Sequence, residues 1–119
     1  MDESVRESLL FDRYGGLLTE KQRGVMRLYH EENLSLSEIA EEYGISRAAV
    51  HDALKKAENK LAEYESALGL VENADDALEI TGKIRSRVAA LLEDKKLGSG
   101  LAGELAEIGR LAAELEEKL

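Results

Sequence analysis

Apolar residues recur along this chain at intervals of three and four positions, the spacing that places side chains on one face of an α-helix. The every-second-residue alternation that a half-buried strand needs is not sustained anywhere in the sequence. The spacing predicts a first helix over residues 4–14, followed by a second helix that carries Val25, Leu28 and Tyr29. The pattern therefore predicts an all-α protein.

Three capping boxes mark predicted helix starts, because each joins a hydroxyl residue to a Glu or Gln three positions later: Ser4–Glu7, Thr19–Gln22 and Ser35–Glu38. The two side chains of such a box satisfy unpaired backbone N–H groups in the first turn of a helix. Glycines are common just past helix ends, where they adopt the left-handed conformation. We therefore expect the first helix to close at Gly15-Gly16 and the third at Gly44, with Ser46 as the N-cap of a longer fourth helix.

The segment from Leu36 to Leu61 predicts a helix-turn-helix, with two helices joined by a tight turn at Tyr43-Gly44-Ile45. Gly44 can supply the positive φ that this turn needs, which costs other residues about 1–2 kcal/mol. Ala40, four positions earlier, is small enough for the two helices to cross closely. The residues expected to face inward between them are Ile39, Ile45, Val50 and Ala53.

The apolar pattern of the second half predicts longer helices. Leu61, Tyr64, Leu68 and Val71 extend the fourth helix as a narrow stripe. A second stripe, interrupted at Asn73 and Asp75-Asp76, consists of Ala77, Ile80, Ile84, Val88 and Leu91. Gly98-Ser99-Gly100 is interpreted as a flexible linker. Beyond it, a coiled-coil seam is formed by Leu101, Leu105, Ile108, Ala112, Leu115 and Leu119.

This organisation predicts a helix-turn-helix domain over residues 1–71 and a helical extension over residues 72–119. The two stripes of the extension offer more apolar surface than the small head can cover, and such surface usually marks association. We therefore expect a homodimer, with an intramolecular hairpin closing at the glycine linker as the alternative.

The outward positions of the second helix of the helix-turn-helix form the candidate binding site: Ser46, Arg47, Ala49, His51, Asp52, Lys55 and Lys56. Residues at the start of such a helix can read base edges in the major groove, where Arg pairs with guanine and Lys neutralises phosphates. Lys55 lies about 80° and Lys56 about 180° around the helix from Arg47, so Lys56 has a flanking role.

Charge and composition restrict the function. The chain has 25 acidic and 16 basic residues, a formal net charge of −9, whereas DNA-binding domains are usually basic. It contains no Cys and only two His, both interpreted as surface residues, and no phosphate-binding glycine motif. We therefore expect no enzyme, metal or cofactor. No apolar run approaches the ~18 residues of a membrane span, and no leader sequence opens the chain. These features predict a cytoplasmic protein that does not bind membranes.

The sequence also resembles the YlxM family of small bacterial helix-turn-helix proteins, whose genes typically neighbour those of the signal recognition particle. The resemblance covers residues 5–70 and rests on Phe11–Tyr14, Leu17–Gln22 and the stretch SLSEIAEEYGISRAAVHDALKKAE. The segment Leu18–Leu61 is also similar to the promoter-reading fourth region of sigma factors.

The resemblance implies a regulatory or accessory protein of the signal recognition particle pathway that binds nucleic acid or a particle protein. The acidic net charge favours a basic particle protein, whereas Arg47 and the lysines suit RNA or DNA. A sequence-specific DNA-binding transcriptional regulator is the main alternative. A polymerase-associated or antitoxin-like helical module is a further one.

Overall fold

Six α-helices and one short 3-10 turn account for nearly all of residues 2–119, the part of the chain that the computed structural model describes. The elements in chain order are α1 Glu3–Tyr14, the 3-10 turn Gly15–Leu17, α2 Glu20–His30, α3 Leu36–Tyr43, α4 Arg47–Leu68, α5 Leu70–Leu92 and α6 Ser99–Lys118. No strand occurs among these residues, so the predicted all-α fold is confirmed. The chain divides into two compact units, Met1–Val71 and Glu72–Leu119.

Two of the three predicted capping boxes are present. At the start of α2, the Gln22 N–H donates to Thr19 Oγ1 at 3.2 Å, and the Thr19 N–H donates to Gln22 Oε1 at 3.1 Å. The corresponding distances between Ser35 and Glu38 at the start of α3 are 3.1 and 3.0 Å. Hydrogen bonds from Ser35 hold the pKa of Glu38 below its ordinary value, and the bond from the Ser35 backbone N–H has the largest effect. Each box therefore fixes a helix start where the sequence predicted it.

The first helix ends at Tyr14, as predicted, but it begins at Glu3 and is not capped by Ser4. Asp2 is the N-cap of α1, because its Oδ1 accepts from the Ser4 N–H at 3.3 Å and Ser4 already lies inside the helix. A carboxylate at the N-cap satisfies the same unpaired donors that a serine would. At the other end Gly15 is the C-cap, as predicted, but its φ of −55° is right-handed, and the chain continues directly into the 3-10 turn.

The helix-turn-helix is formed by α3 and α4 with Gly44 at the turn. Gly44 has φ +65° and ψ +34°, and its N–H donates to the carbonyl oxygens of Ala40 and Glu41. The Ile45 N–H also donates to the Ala40 oxygen, at 3.0 Å. These bonds satisfy the last carbonyls of α3 in the manner of a left-handed C-cap. Ser46 Oγ then accepts from the Ala49 N–H at 3.0 Å and starts α4.

Replacement of Gly44 by Val should lower the free energy of unfolding by about 1–2 kcal/mol or more, because a β-branched residue strongly disfavours positive φ. A Cβ at this position would meet nothing within 4 Å, so the loss would report backbone strain alone. Gly16→Val is the matched control, since Gly16 also has open space around it and lacks a positive φ. Thermal melts compare the variants; equal midpoints for Gly44→Val and wild type would contradict the prediction.

The core of the first unit lies around α4, against which α1, α2 and α3 all pack. Val25, Ile39, Val50 and Leu61 are completely inaccessible to solvent, and Ala53 is also buried. Ile45 is partly buried and packs against this core. The inward positions predicted for the helix-turn-helix are therefore confirmed, with Ile45 at the edge of the core.

The sequence predicted that α4 would continue through Val71, and this is wrong. Gly69 adopts φ +63° and ends α4 at Leu68, so that Val71 belongs to α5. Just before this turn, the buried carboxylate of Glu65 accepts a hydrogen bond from the Tyr14 hydroxyl at 2.5 Å and another from the Val71 N–H at 3.0 Å. The Leu70 N–H donates to the Tyr14 oxygen, also at 3.0 Å. Side chains of α1 and α4 thus satisfy the first backbone donors of α5.

In the second unit, the predicted interruption at 73–76 is absent and α5 is continuous. Asn73, Asp75 and Asp76 are helical residues in its first two turns, and the acidic residue of the first turn, where a negative charge is favourable for the helix dipole, is Glu72. The predicted linker Gly98-Ser99-Gly100 is also wrong, because Gly98 is the N-cap of α6 and the next two residues are helical. α6 runs beside α5, with Arg85 Nη1 at 2.9 Å from Glu116 Oε2.

Candidate nucleic-acid interface

The candidate site residues lie on the first two and a half turns of α4 and on its N-cap. Six of the seven are exposed to solvent, and Ala49 is half-buried. Ser46 is occupied in capping the helix, and Arg47 is its first residue. The structure therefore presents the predicted face to solvent, except at Ala49.

The cations of this face differ in their availability. Lys56 Nζ lies 3.1 Å from Asp52 Oδ2, an ion pair between two exposed side chains one helical turn apart. Within the described residues, neither Arg47 nor Lys55 forms an ion pair. Arg47, His51 and Lys55 follow each other at intervals of about 40° around α4, so they form one narrow strip. We call these three residues the cationic strip; Lys56 lies on the opposite side.

A cleft of about 190 Å³ adjoins the cationic strip. It is bounded by residues of α2, α3 and α4: Tyr29, Leu36, His51, Leu54, Lys55 and Glu58. The sequence pattern placed Tyr29 with the apolar residues of the second helix, yet its side chain is 39% exposed. Leu36 and Glu58 were also missed as site residues. Only their convergence in three dimensions identifies them, because they come from separate helices.

His30 departs from the surface position expected for it. It is half-buried at the end of α2, with its ring edge-on to Tyr29 at a centroid distance of 5.1 Å. Its Nε2 lies 3.8 Å from Glu58 Oε1, beyond hydrogen-bonding distance. The carboxylate of Glu7, on α1, lies near the same pair. Its pKa is raised above the ordinary value, chiefly by burial and then by the negative charge of Glu58.

The described part of the chain brings together no group of three or more His, Cys, Asp or Glu side chains that could hold a metal ion. Nor does it contain a helix that combines the length and the apolar character needed to cross a bilayer. In the described part of the first unit, Arg47 and Lys55 are exposed cations without an ion pair, and they lie near a cleft lined by Tyr29.

Comparison with known proteins gives a consistent result. Residues 1–98 match the family UPF0122, described as "Putative helix-turn-helix protein, YlxM / p13 like". A UPF0122 protein of Shouchella clausii is 42% identical over 90 residues, which is 76% of this chain and 83% of that protein. One of Clostridium kluyveri is 44% identical over 95 residues, 80% of this chain and 86% of the relative. One of Desulforamulus reducens is 55% identical over 71 residues, 60% of this chain and 61% of the relative.

Proposed function

The chain belongs to the UPF0122 family of YlxM/p13-like helix-turn-helix proteins, and we propose that it is a regulatory or accessory protein that acts by binding nucleic acid rather than by catalysis. The observation that carries this proposal is the exposed pair of cations on the first three turns of α4, Arg47 and Lys55, which form no ion pair with any described residue. In a helix-turn-helix, this part of the second helix is the one that approaches base edges and phosphates.

Local charge supports the proposal despite the acidic chain. Residues 46–62 contain four basic and two acidic side chains, and one of the two acids, Asp52, is paired with Lys56. The cationic strip therefore keeps a positive charge in a protein of net charge −9. Phosphates attracted by this strip would displace counterions, so binding should weaken as salt rises.

We further propose that the target belongs to the signal recognition particle pathway in the cytoplasm. This rests on the resemblance to YlxM proteins and the gene neighbourhood typical of that family. A sequence-specific transcriptional regulator is the second candidate, favoured by the helix-turn-helix itself. Electrophoretic mobility titrations against particle RNA and random duplex DNA, at about 50 and about 200 mM salt, separate the two. Tighter binding of the RNA supports the particle, and tighter binding of the duplex supports the regulator.

If the partner is instead a basic particle protein, the acidic second half becomes the contact surface. Residues 63–119 carry 13 acidic and 7 basic side chains. Glu104→Lys should then weaken binding severalfold, while Lys55→Ala leaves it unchanged, as pull-down titrations with the particle protein would measure. Glu104 is a better position for this test than Glu107. Glu107 accepts a hydrogen bond from Arg110 at 2.9 Å, so reversing the charge of Glu107 would also break that pair. Equal binding by Glu104→Lys and wild type would contradict this route.

We propose that the protein is a homodimer that associates through its second unit. Val88 and Ala112 are buried there, but most of the apolar stripe residues of α5 and α6 are exposed, among them Ile80 at 59% and Leu101 at 56%. A mass near 26 kDa (twice 13.1 kDa) is therefore expected from light scattering at micromolar concentration. Ile80→Lys should shift the mass toward the monomer, and a wild-type mass of 13.1 kDa would defeat the proposal.

A further inference from the structure

The cleft beside the cationic strip contains residues that a helix does not need in order to bind in a groove of DNA. It combines an aromatic ring, Tyr29, and two leucines with ionisable groups at its rim. We propose that this cleft holds one unstacked pyrimidine base of a single-stranded nucleic acid whose phosphates lie along the cationic strip. The inference rests on the proposed nucleic-acid binding and deepens it by naming the form of the ligand.

The size of the cleft suits a single base. Its volume is about 190 Å³, and an apolar protein cavity of about 150 Å³ is enough to hold a benzene ring. A pyrimidine is a six-membered ring with small polar substituents, so it needs slightly more room than benzene. The cleft therefore has room for one such ring.

The walls provide contacts for the faces of a base. Tyr29 is 39% exposed, and its ring is positioned by the edge-on contact with His30. Bases removed from a helical stack are commonly bound by stacking on aromatic side chains. Leu36 and Leu54, from α3 and α4, add apolar surface to the same cleft. A base in duplex DNA is already stacked and cannot enter, so the cleft selects single strands.

The rim favours a base over a bare phosphate. Lys55 and His51 can approach the backbone, whereas the carboxylate of Glu58 would repel a phosphate that entered the cleft. A carboxylate accepts hydrogen bonds from base N–H groups, such as the exocyclic amine of cytosine. Glu58 lies only about 20° around α4 from Arg47, so the cationic strip and the carboxylate are on the same side of the helix.

The test measures fluorescence anisotropy with four labelled ligands: a short oligothymidylate, an oligouridylate of equal length, an abasic DNA strand with the same number of phosphates, and a DNA duplex. The protein variants are Tyr29→Leu, which removes the aromatic ring, and the matched control Tyr29→Phe, which keeps it. Stacking of one base predicts that Tyr29→Leu weakens binding of the two single strands about 5- to 150-fold. Tyr29→Phe should bind them like wild type, and neither variant should change binding of the abasic strand. The thymidine and uridine arms show whether the strand bound is DNA or RNA.

Cross-linking provides a measurement that does not depend on the folding of a variant. Wild-type protein irradiated with a strand containing 4-thiothymidine should be modified on peptides that include Tyr29 or Leu36. Cross-links confined to peptides that carry none of the residues lining the cleft would overturn the proposal, as would equal single-strand binding by Tyr29→Leu and wild type. In both cases retained binding that depends on Arg47 would leave the proposed function intact. Absence of binding to all four ligands by wild type would instead overturn the proposed function together with the cleft.

Discussion

Replacement of Arg47 by Ala should weaken nucleic-acid binding by about 1–3 kcal/mol, which is about 5- to 150-fold in Kd. Arg47 is the first residue of α4, is exposed, and forms no ion pair within the described residues. Its guanidinium can therefore form paired hydrogen bonds with a guanine or a phosphate without giving up a partner in the protein. If it reads a base, the loss will be larger for the preferred sequence than for random duplex.

Lys56→Ala is the matched control for this experiment. It removes the same single positive charge from the same helix, but Lys56 is already paired with Asp52 at 3.1 Å and lies on the opposite side of α4. We expect it to change Kd less than twofold. Lys55→Ala should weaken binding to all sequences alike and reduce the slope of log K against log salt by about 1. Equal effects of the Arg47 and Lys56 substitutions would contradict an interface built on the cationic strip.

The parts of the fold that the sequence predicted correctly depend on local chemistry. The Thr19 and Ser35 boxes and the positive φ of Gly44 each involve residues within three or four positions of one another. Their energies are decided almost entirely within one turn of helix, so a short stretch of sequence contains the needed information. The same holds for the inward positions of the helix-turn-helix, because the period of the helix places them on one face.

The features that were missed depend on contacts between distant residues. In the sequence, Glu65 looks like any other acidic residue on the exposed face of a helix. In the structure it is only 7% exposed, and it accepts a hydrogen bond from Tyr14, 51 positions earlier. The residues of the cleft, including Tyr29, come from three helices. The interruption expected near Asn73 is absent for a different reason, since Asn and Asp are only modestly unfavourable inside a helix and do not break one by themselves. Local patterns cannot decide such cases.

Replacement of Glu65 by Leu should lower the free energy of unfolding by about 2–6 kcal/mol, because it leaves two buried donors without an acceptor at about 1–3 kcal/mol each. These donors are the Tyr14 hydroxyl and the Val71 N–H. Leu has a size similar to Glu, so the loss would not arise chiefly from a cavity. A domain of this size is stabilised by only about 5–15 kcal/mol in total, which makes the expected change easy to measure by urea denaturation.

Two controls isolate the hydrogen bonds. Glu65→Gln keeps an acceptor oxygen and should lose less stability than Glu65→Leu, whereas Glu63→Ala, on the exposed side of the same turn, should change it by less than about 0.5 kcal/mol. Equal losses for the Leu and Gln variants would show that the charge of Glu65, and not its role as an acceptor, stabilises the α4–α5 turn.

The pH dependence of stability gives an independent measurement of the same network. Burial first, and then the hydrogen bond to Glu65, raise the pKa of Tyr14 above its ordinary value of 10.0. A group whose pKa is higher in the folded than in the unfolded protein stabilises the fold fully below the unfolded value and loses that contribution as pH rises through the folded one. Wild type should therefore lose stability above about pH 10. Tyr14→Phe should lack this alkaline step, because no hydroxyl remains to ionise beside Glu65. An identical alkaline profile for the two proteins would mean that Tyr14 does not couple ionisation to the α4–α5 turn.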